Sequence, residues 1–488
     1  MKVSLQVLSE DEKAQVHERT LDLLAKIGLR VDTARGRRIL KEAGAQVNEN
    51  TDRVLFPRSL VEACLRLAPR NFSLGGRRKG WSLPMNTGEC SLVADGEAVY
   101  VYDSCTDERR VASFDDWLAA TRLIDTLDEV GVYWGMVKAG STDSRSEPAH
   151  PAGEFVAYWR EALKNFSKHI QDSTENPQQS RWLLEVLQTV FGDKEIIKST
   201  HPVSFLLCPL SPLVIEGPYT DAYLETIGWD IPAAVMPMPM LGTTSPASLI
   251  ATTVLSNCEV LAMLCLVQVA APGTPFIYAP AQAIFDPHSG RFAGGAVEEA
   301  LLGSAVTEMG RYYSLPVEAS TGGTDHHVPG IQAGYERGIN WTLPALSWPD
   351  LLVGPGLLGG ATILSLEQLM IDIEIFKRCT RLLAGIECGA DQWLSGVIEA
   401  VGPGGNFLSH RSTRDALRAG ELYISKFGFH DTFEQWEASG RPSLVEQVRS
   451  QIAHLLATHQ PIPLGEAVER ELARIEQRAR QASINTEN

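Results

Sequence analysis

One pattern constrains the fold more than any other: after Asp115, short apolar runs alternate with helical segments. The runs are Val130–Gly135, Lys168–Asp172, Val203–Leu207, Ala233–Met238, Pro275–Tyr278, Pro316–Ser320, Asp350–Val353 and, more weakly, Ile398–Val401. Glu154–Asn165, Ala247–Ala271, Ala296–Tyr313 and Leu364–Leu383 are among the helical stretches between them. Strands separated by helices are connected in parallel, and a parallel sheet must be covered on both faces. Eight such units over roughly 290 residues predict a (β/α)8 barrel, usually about 250 residues long before insertions. A doubly wound open sheet is the runner-up.

The flanking segments read differently. Ser9 and Glu12 form a capping box in front of a stripe of Val16, Leu23, Leu24 and Ile27, which ends at Gly28. A second helix is expected over Leu60–Leu67. Val99–Tyr102 and Arg110–Ala112 flank the turn-like Thr106-Asp-Glu108, predicting a β-hairpin cap. The expected division is therefore 1–112 for N-terminal helices and the cap, 113–405 for the barrel and 406–488 for helices packed outside it.

Charge and composition narrow the function. A net charge of −17 argues against nucleic-acid binding, which needs a basic face. Eight cysteines without a C-x-x-C pair read as reduced thiols of a cytoplasmic protein. Met1-Lys-Val-Ser-Leu-Gln-Val carries no signal-peptide pattern. Ser248–Ala271 is apolar enough to suggest a membrane span, but Asn257, Glu259 and Gln268 interrupt it, so a buried helix is expected. The spacing of His, Cys, Asp and Glu predicts no resident metal, because adjacent histidines alone seldom make a zinc site.

In a parallel barrel, chemistry gathers where strands end. Ser320-Thr-Gly-Gly-Thr-Asp-His-His-Val-Pro-Gly330 follows a strand and precedes a helix, placing Asp325, His326 and His327 at such a mouth. The two histidines serve equally well as a loop pair bonded to backbone. Asp325, His327 and Gly330 also match D-x-H-x-x-G, a corrinoid-binding pattern, without the small flavodoxin-like domain it requires. Gly242-Thr-Thr-Ser245-Pro246 reads as a helix start capped by Ser245. Small residues there and at Gly323, Gly359 and Gly360 equally leave room for a broad ligand. Tyr100 and Tyr278 are candidates for an aromatic face toward a quaternary ammonium. Asn165 and Lys168 sit at a helix-to-strand junction, which a barrel places at the end away from the site.

Several further segments together resemble the trimethylamine methyltransferase superfamily. They are Leu8-Ser-Glu-Asp-Glu12, Tyr102-Asp103 with Glu108-Arg-Arg110, Pro209-Leu-Ser-Pro-Leu213, Gly242-Thr-Thr-Ser-Pro246, Asn257-x-Glu-Val-Leu261, Gln332-Ala-Gly-Tyr-Glu336, Gly402-Pro-Gly-Gly405 and Glu434-Gln-Trp436. The resemblance runs in order from about residue 8 to about 470. It implies a (β/α)8 barrel that moves a methyl group from an amine to the cobalt of a separate corrinoid protein docked over the mouth. The family's archetype carries pyrrolysine near the stretch matching 322–336. This chain has ordinary residues there, so it resembles the branch that demethylates glycine betaine or related quaternary amines. The resemblance then implies substrate contacts from His326 or His327, oriented by Asp325, with Asn165 as an outside candidate. It also implies a corrinoid facing Gly242, Thr243, Gly323, Gly359 and Gly360; separately, an apolar chain of this size predicts a homo-oligomer. The alternatives are a corrinoid-binding protein in its own right and a non-catalytic betaine-binding relative.

Overall fold

The computed structural model describes residues 3–138 and 152–486. Eight short parallel strands form its centre: β1 (Ser91–Val93), β2 (Val130–Tyr133), β3 (His169–Asp172), β4 (Val203–Leu207), β5 (Ala233–Val235), β6 (Phe276–Tyr278), β7 (Glu318–Ser320) and β8 (Leu351–Val353). Each pairs with its neighbour in sequence, and β8 pairs back onto β1 through Leu351↔Ser91 and Val353↔Val93. A bridge between Tyr278 and Val317, with Tyr278 N–H donating to Pro316 (2.9 Å), closes β6 onto β7. The sheet is a nearly closed (β/α)8 barrel, so the open-sheet alternative falls.

The outer ring is α1 (Phe114–Asp125), α2 (Ala152–Asn165), α3 (Pro177–Phe191), α4 (Gly217–Leu224), α5 (Leu249–Ala270), α6 (Val297–Tyr312), α7 (Ile331–Ala345) and α8 (Leu366–Ala384). Side chains on a strand alternate between faces, and the buried residues divide accordingly. Leu92, Tyr133, Ile170, Phe205, Tyr278, Val317, Ala319 and Leu352 face the helices. Val93, Val132, Leu206, Ala234, Met236, Ile277, Leu351 and Val353 fill the lumen. A hairpin of Ser73–Gly75 and Ser82–Pro84 contributes Leu74 and Met85 to that lumen cluster. It lies at the amino-terminal ends of the strands, since Gly75 N–H donates to His201 O (3.0 Å) and the His169 ring contacts Gly75 O. The lumen is thus plugged from below.

Two expectations need correction. Ile398–Val401 lies in an exposed helix, Ser395–Val401, and the remaining barrel strand is Ser91–Val93, inside the segment assigned to the cap. Three residues buried on every side show neither alternation nor length, so periodicity passes over them. The barrel therefore begins before residue 113, and the hairpin Tyr100–Asp103/Glu108–Val111 is an insertion between β1 and α1. The cap of α5 is Ser248, not Ser245. Met240–Ser245 closes into its own turn, and the Ser245 hydroxyl meets Thr252 Oγ1 at 2.5 Å.

Helix α5 is long and apolar enough to cross a membrane by composition, yet 83% of its most apolar window is buried inside the protein. Its packing explains why. Glu10–Lys26 and Arg58–Leu67 cover its outer side, and each polar interruption has a partner. Asn257 donates to Thr20 Oγ1 (2.9 Å) and Tyr313 OH (2.8 Å) and accepts from Tyr278 OH (3.0 Å). Glu259 accepts from Leu213 N–H and Ser211 Oγ, both at 2.8 Å, and Gln268 bonds Thr274 O and Gly273 N–H. At the far end of the chain, Leu444–Thr458 and Glu466–Thr486 pack on the ring through His459–Asp125 (3.0 Å) and Arg160–Glu476 (2.6 Å).

Asn257→Ala takes a partner from three hydroxyls and leaves that of Tyr278 with none, while Thr20 keeps Val16 O and Tyr313 keeps His17 Nδ1. The expected loss is about 1–3 kcal/mol of folding stability, the cost of one orphaned buried group before relaxation. Urea unfolding followed by circular dichroism measures it, and a change below about 0.5 kcal/mol would show that the network contributes nothing.

Candidate functional site

The upper lumen holds groups that a purely structural core would avoid. Glu318 opens β7 pointing inward, is fully buried, and accepts from Gln171 Nε2 of β3 at 2.9 Å. The bond crosses the lumen between non-adjacent strands. Glu318 Oε1 and Gln171 Oε1 have no hydrogen-bond partner, so the floor of the cleft carries two unsatisfied acceptors. Buried polar atoms left unpaired are costly and commonly mark where a ligand or water binds.

Above this floor exposure increases step by step. Asp172, at the end of β3, is half-buried and accepts from Tyr158 OH (3.0 Å) and Ser173 N–H (2.7 Å). Trp134 and Ser320 are half-buried as well; Glu97, Cys208 and Met238 are exposed at the rim. Glu97 adopts φ 65°, in the left-handed region that non-glycine residues seldom enter, with its N–H donating to Gly135 O (2.8 Å). Such a residue at a cleft is a reason to look for function there.

These carboxyls share one electrostatic field. Burial pushes Glu318 up to about 7. It pushes Asp172 to about 7 as well, with Glu97 and Glu175 adding to the shift against the Ser173 and Tyr158 hydrogen bonds. The Cys208 thiol is raised to about 12 by burial and then by Glu318, Glu97 and Glu216, which makes it a poor nucleophile. Tyr219 also feels Glu175, Glu216 and Glu97, with Lys138 opposing them. The mouth therefore presents a negative potential that favours a cation, focused by low-dielectric walls.

The residues singled out from sequence divide into three places. Asp325, His326 and His327 lie in the loop after β7, at the carboxyl ends of the strands. Asp325 accepts from Gly294 N–H (2.8 Å) and Gly295 N–H (3.3 Å), and so pins a neighbouring loop rather than a histidine. His326 Nδ1 sits 2.6 Å from Val328 O, while His327 is exposed. Tyr100 lies at the rim on the inserted hairpin, its ring 4.2 Å from the Arg109 guanidinium. Tyr278 and Asn165 do not reach the mouth. Tyr278 is one residue out of phase with the lumen-facing Ile277 along β6 and points between barrel and helices toward Asn257. Asn165 ends α2 below the barrel, where its amide donates to Glu161 O (2.9 Å); Lys168 likewise donates to Leu127 O (2.6 Å).

The glycines of the rim have an internal reason for lacking side chains. Gly359 has φ 58°, and a Cβ there would stand 2.8 Å from His327 Nδ1. At Gly323 a Cβ would fall 2.5 Å from Gly294 O. Gly242 (φ 91°) and Gly360 (φ 64°) are also left-handed, while Gly242 and Thr243 are exposed. A bulky residue at Gly323 or Gly359 thus distorts the loop whether or not a macrocycle docks on it. Sequence reading passed over Gln171, Asp172 and Glu318. The signal was there: a carboxylate inside the run Leu315-Pro-Val-Glu318-Ala, otherwise apolar, is out of place unless it has a task.

A closed parallel barrel with its polar cleft at the carboxyl ends of the strands defines a barrel enzyme. The chain matches the family model for trimethylamine methyltransferase (MTTB) over residues 2–483 and belongs to that family; it is a methyltransferase. It is 28% identical over 495 residues to trimethylamine methyltransferase MttB of Methanosarcina barkeri, covering 98% of this chain and 96% of that protein. It is 26% identical over 467 residues to the glycine betaine methyltransferase of Desulfitobacterium hafniense (strain Y51), covering 96% and 95%. The solved structure of Methanosarcina barkeri monomethylamine methyltransferase (MtmB) covers 97% of this chain, and the chain 92% of it, at 12% identity and a TM-score of 0.49.

Two pH effects follow from the raised carboxyls. Glu318 and Asp172 hold their protons more tightly folded than unfolded, where values near 4 apply. Their stabilising contribution is present below about pH 4 and is lost as pH rises through about 7. Ionisation over that same upper range should tighten binding of a tetramethylammonium probe. Calorimetry from pH 5.5 to 8.5 should show the affinity rising, and Glu318→Gln should lower it about tenfold or more at pH 8. Affinity independent of both pH and Glu318 would place the cation elsewhere.

Proposed function

We propose that this methyltransferase takes a methyl group from a quaternary amine, glycine betaine or a close analogue, and passes it to the cobalt(I) of a separate cytoplasmic corrinoid protein. The observation that carries the reading is the carboxyl-lined mouth above Glu318 and Gln171, which suits a permanent cation. A quaternary nitrogen is already positive, so its leaving group is a neutral tertiary amine and needs no acid. The corrinoid, when docked, supplies the nucleophile that accepts the methyl group.

The chain's own residues bind and orient. Glu318 draws the ammonium into the cleft; Asp172, turned toward Tyr158 of α2, adds its charge from behind the strand end, while Glu97 and Glu216 extend the attraction to the rim. Charge on nitrogen disappears during transfer, so a strong anionic or aromatic cage would stabilise the ground state above the transition state. Carboxyls that titrate near 7 are partly protonated at neutral pH, which moderates the hold. Trp134 adds one aromatic face at this depth. The loop bearing His326 and His327 is the candidate contact for the substrate carboxylate, since the other polar groups of the cleft repel it.

A panel of amines assayed with the reduced corrinoid protein, or with free cob(I)alamin, tests the substrate. Quaternary amines should turn over at least tenfold faster than trimethylamine; comparable rates would sink the proposal. His326→Ala and His327→Ala separate the carboxylate contact: one should raise the betaine dissociation constant about tenfold, matching a hydrogen bond of roughly 1.5 kcal/mol. If neither substitution affects betaine, the carboxylate is held elsewhere.

A further inference from the structure

The loop after β8 has little reason of its own to hold one shape. It reads Gly354-Pro-Gly-Leu-Leu-Gly-Gly360, and Gly354 and Gly356 take φ 126° and 87°. Glycine enters this region freely but is not held there, so the backbone must be fixed from outside. Gly359 and Gly360 of the rim belong to the same stretch.

The fixing comes from one buried ion pair. Arg337 of α7 is fully buried, and its guanidinium donates to Gly354 O through Nη1 and to Leu357 O through Nη2. Its Nε stands 3.3 Å from Asp372 Oδ2 of α8, in an ion pair rather than an aligned hydrogen bond. The Asp372 carboxyl also accepts from Gly356 N–H (2.8 Å) and Gln368 Nε2 (2.7 Å). Three backbone groups between Gly354 and Leu357 are thus held by one pair. One turn further along α7, Trp341 Nε1 donates to Thr321 O (2.8 Å) and Val353 O (3.2 Å), joining the roots of the β7 and β8 loops. The guanidinium lies 5.6 Å from the centre of that indole.

Filling this space does not require a charge. A buried ion pair is often replaceable by apolar side chains of similar volume, which lack only its directed donors. The planar fork of arginine is what two carbonyls of one loop can use. Burial pushes Asp372 and Glu299 above the usual carboxylate range and Asp95 to about 6, and Arg337 opposes the shift at all three.

The loop so held then holds its neighbours. Gly359 N–H donates to His326 O (2.8 Å) and Gly360 N–H to Thr324 O (2.9 Å). Asp325, between those two, accepts from Gly294 and Gly295 N–H of the loop after β6. Glu336, the residue before Arg337, accepts from Asp325 N–H (3.1 Å) and Thr324 Oγ1 (2.5 Å). The loops after β6, β7 and β8 form one hydrogen-bonded wall along a side of the mouth.

We propose that Arg337 is the positioning residue of this wall: it sets the loop after β8, which in turn fixes the loop bearing His326 and His327 against the substrate. This rests on the reading of the histidine loop as the contact for the substrate carboxylate. Tetramethylammonium has no carboxylate, so its affinity reports the Glu318 floor without the wall.

Arg337→Lys keeps the charge and removes the fork. By calorimetry its betaine dissociation constant should rise about tenfold while that of tetramethylammonium stays within about twofold of wild type. Both affinities falling together, as they do when a substitution only weakens the fold, overturns the proposal. Hydrogen exchange of the ligand-free protein, read by mass spectrometry at single amides, is the second measurement and begins with the wild type, so it stands even if Arg337→Lys does not fold. The amides of Gly294, Gly356, Gly359 and Gly360 should share one opening free energy, and Arg337→Lys should speed all four about tenfold or more while those of α5 keep their rates. Unrelated protection among the four in wild type, or four rates indifferent to Arg337→Lys, also overturns it. A wall that opens as one unit, loosened by Arg337→Lys, in a protein that does not bind betaine would instead show the substrate reading to be the part in error.

Discussion

Closure of the barrel is the constraint on which everything else in the molecule depends. A parallel strand has no hairpin partner, and each edge left open exposes a row of unpaired N–H and C=O groups. Here the ring closes at two places supplied from distant parts of the chain: the three residues Ser91–Val93 between β8 and β2, and the Tyr278–Val317 bridge between β6 and β7. With the ring shut and the Ser73–Pro84 hairpin beneath it, the lumen can be entered from the carboxyl ends alone. That geometry sets the inward Glu318 at the floor of a cleft whose rim carries Glu97.

The cleft's electrostatics follow from depth. Gln171 donates its amide N–H to one Glu318 oxygen, and the other Glu318 oxygen and the Gln171 carbonyl oxygen are left unsatisfied. Isolated buried carboxylates are too costly to keep, so burial raises their proton affinity until they titrate near neutrality. The same desolvation that weakens them as anions preserves their sensitivity to an arriving positive charge, because a cation restores the ionised form. Binding and proton release are then linked, because an arriving cation shifts a partly protonated site toward its ionised form.

The fold was more legible in the sequence than the site. Strands such as Val203–Leu207 and helices such as Val297–Tyr312 advertise themselves by length and period. Ser91–Val93 does not, since three residues buried on all sides carry no alternation to read. Tyr278 and Glu318 show the matching difficulty in the site. Both sit in short strands, and which face each side chain takes is set by register; a shift of one residue exchanges lumen for helix layer. Asp325, His326 and His327 were legible as mouth residues because strand, turn and helix follow one another directly. What Asp325 bonds to was not, because Gly294 and Gly295 belong to a different loop.

The long apolar segments show how context reverses a reading made on composition. Helix α5 is uniformly apolar and belongs inside because the N-terminal helices cover it and Asn257, Glu259 and Gln268 find partners there. The arm after α8, residues 385–424, is less apolar in composition, yet its large side chains meet solvent. Hydrophobicity alone would rank the first as the anomaly. The free energy of exposed apolar surface, roughly 25 cal/mol per Å², ranks the second. Apolar area left open in the folded chain contributes none of that stabilisation. The core is satisfied at α5, and the arm is the part of the described chain that buries least.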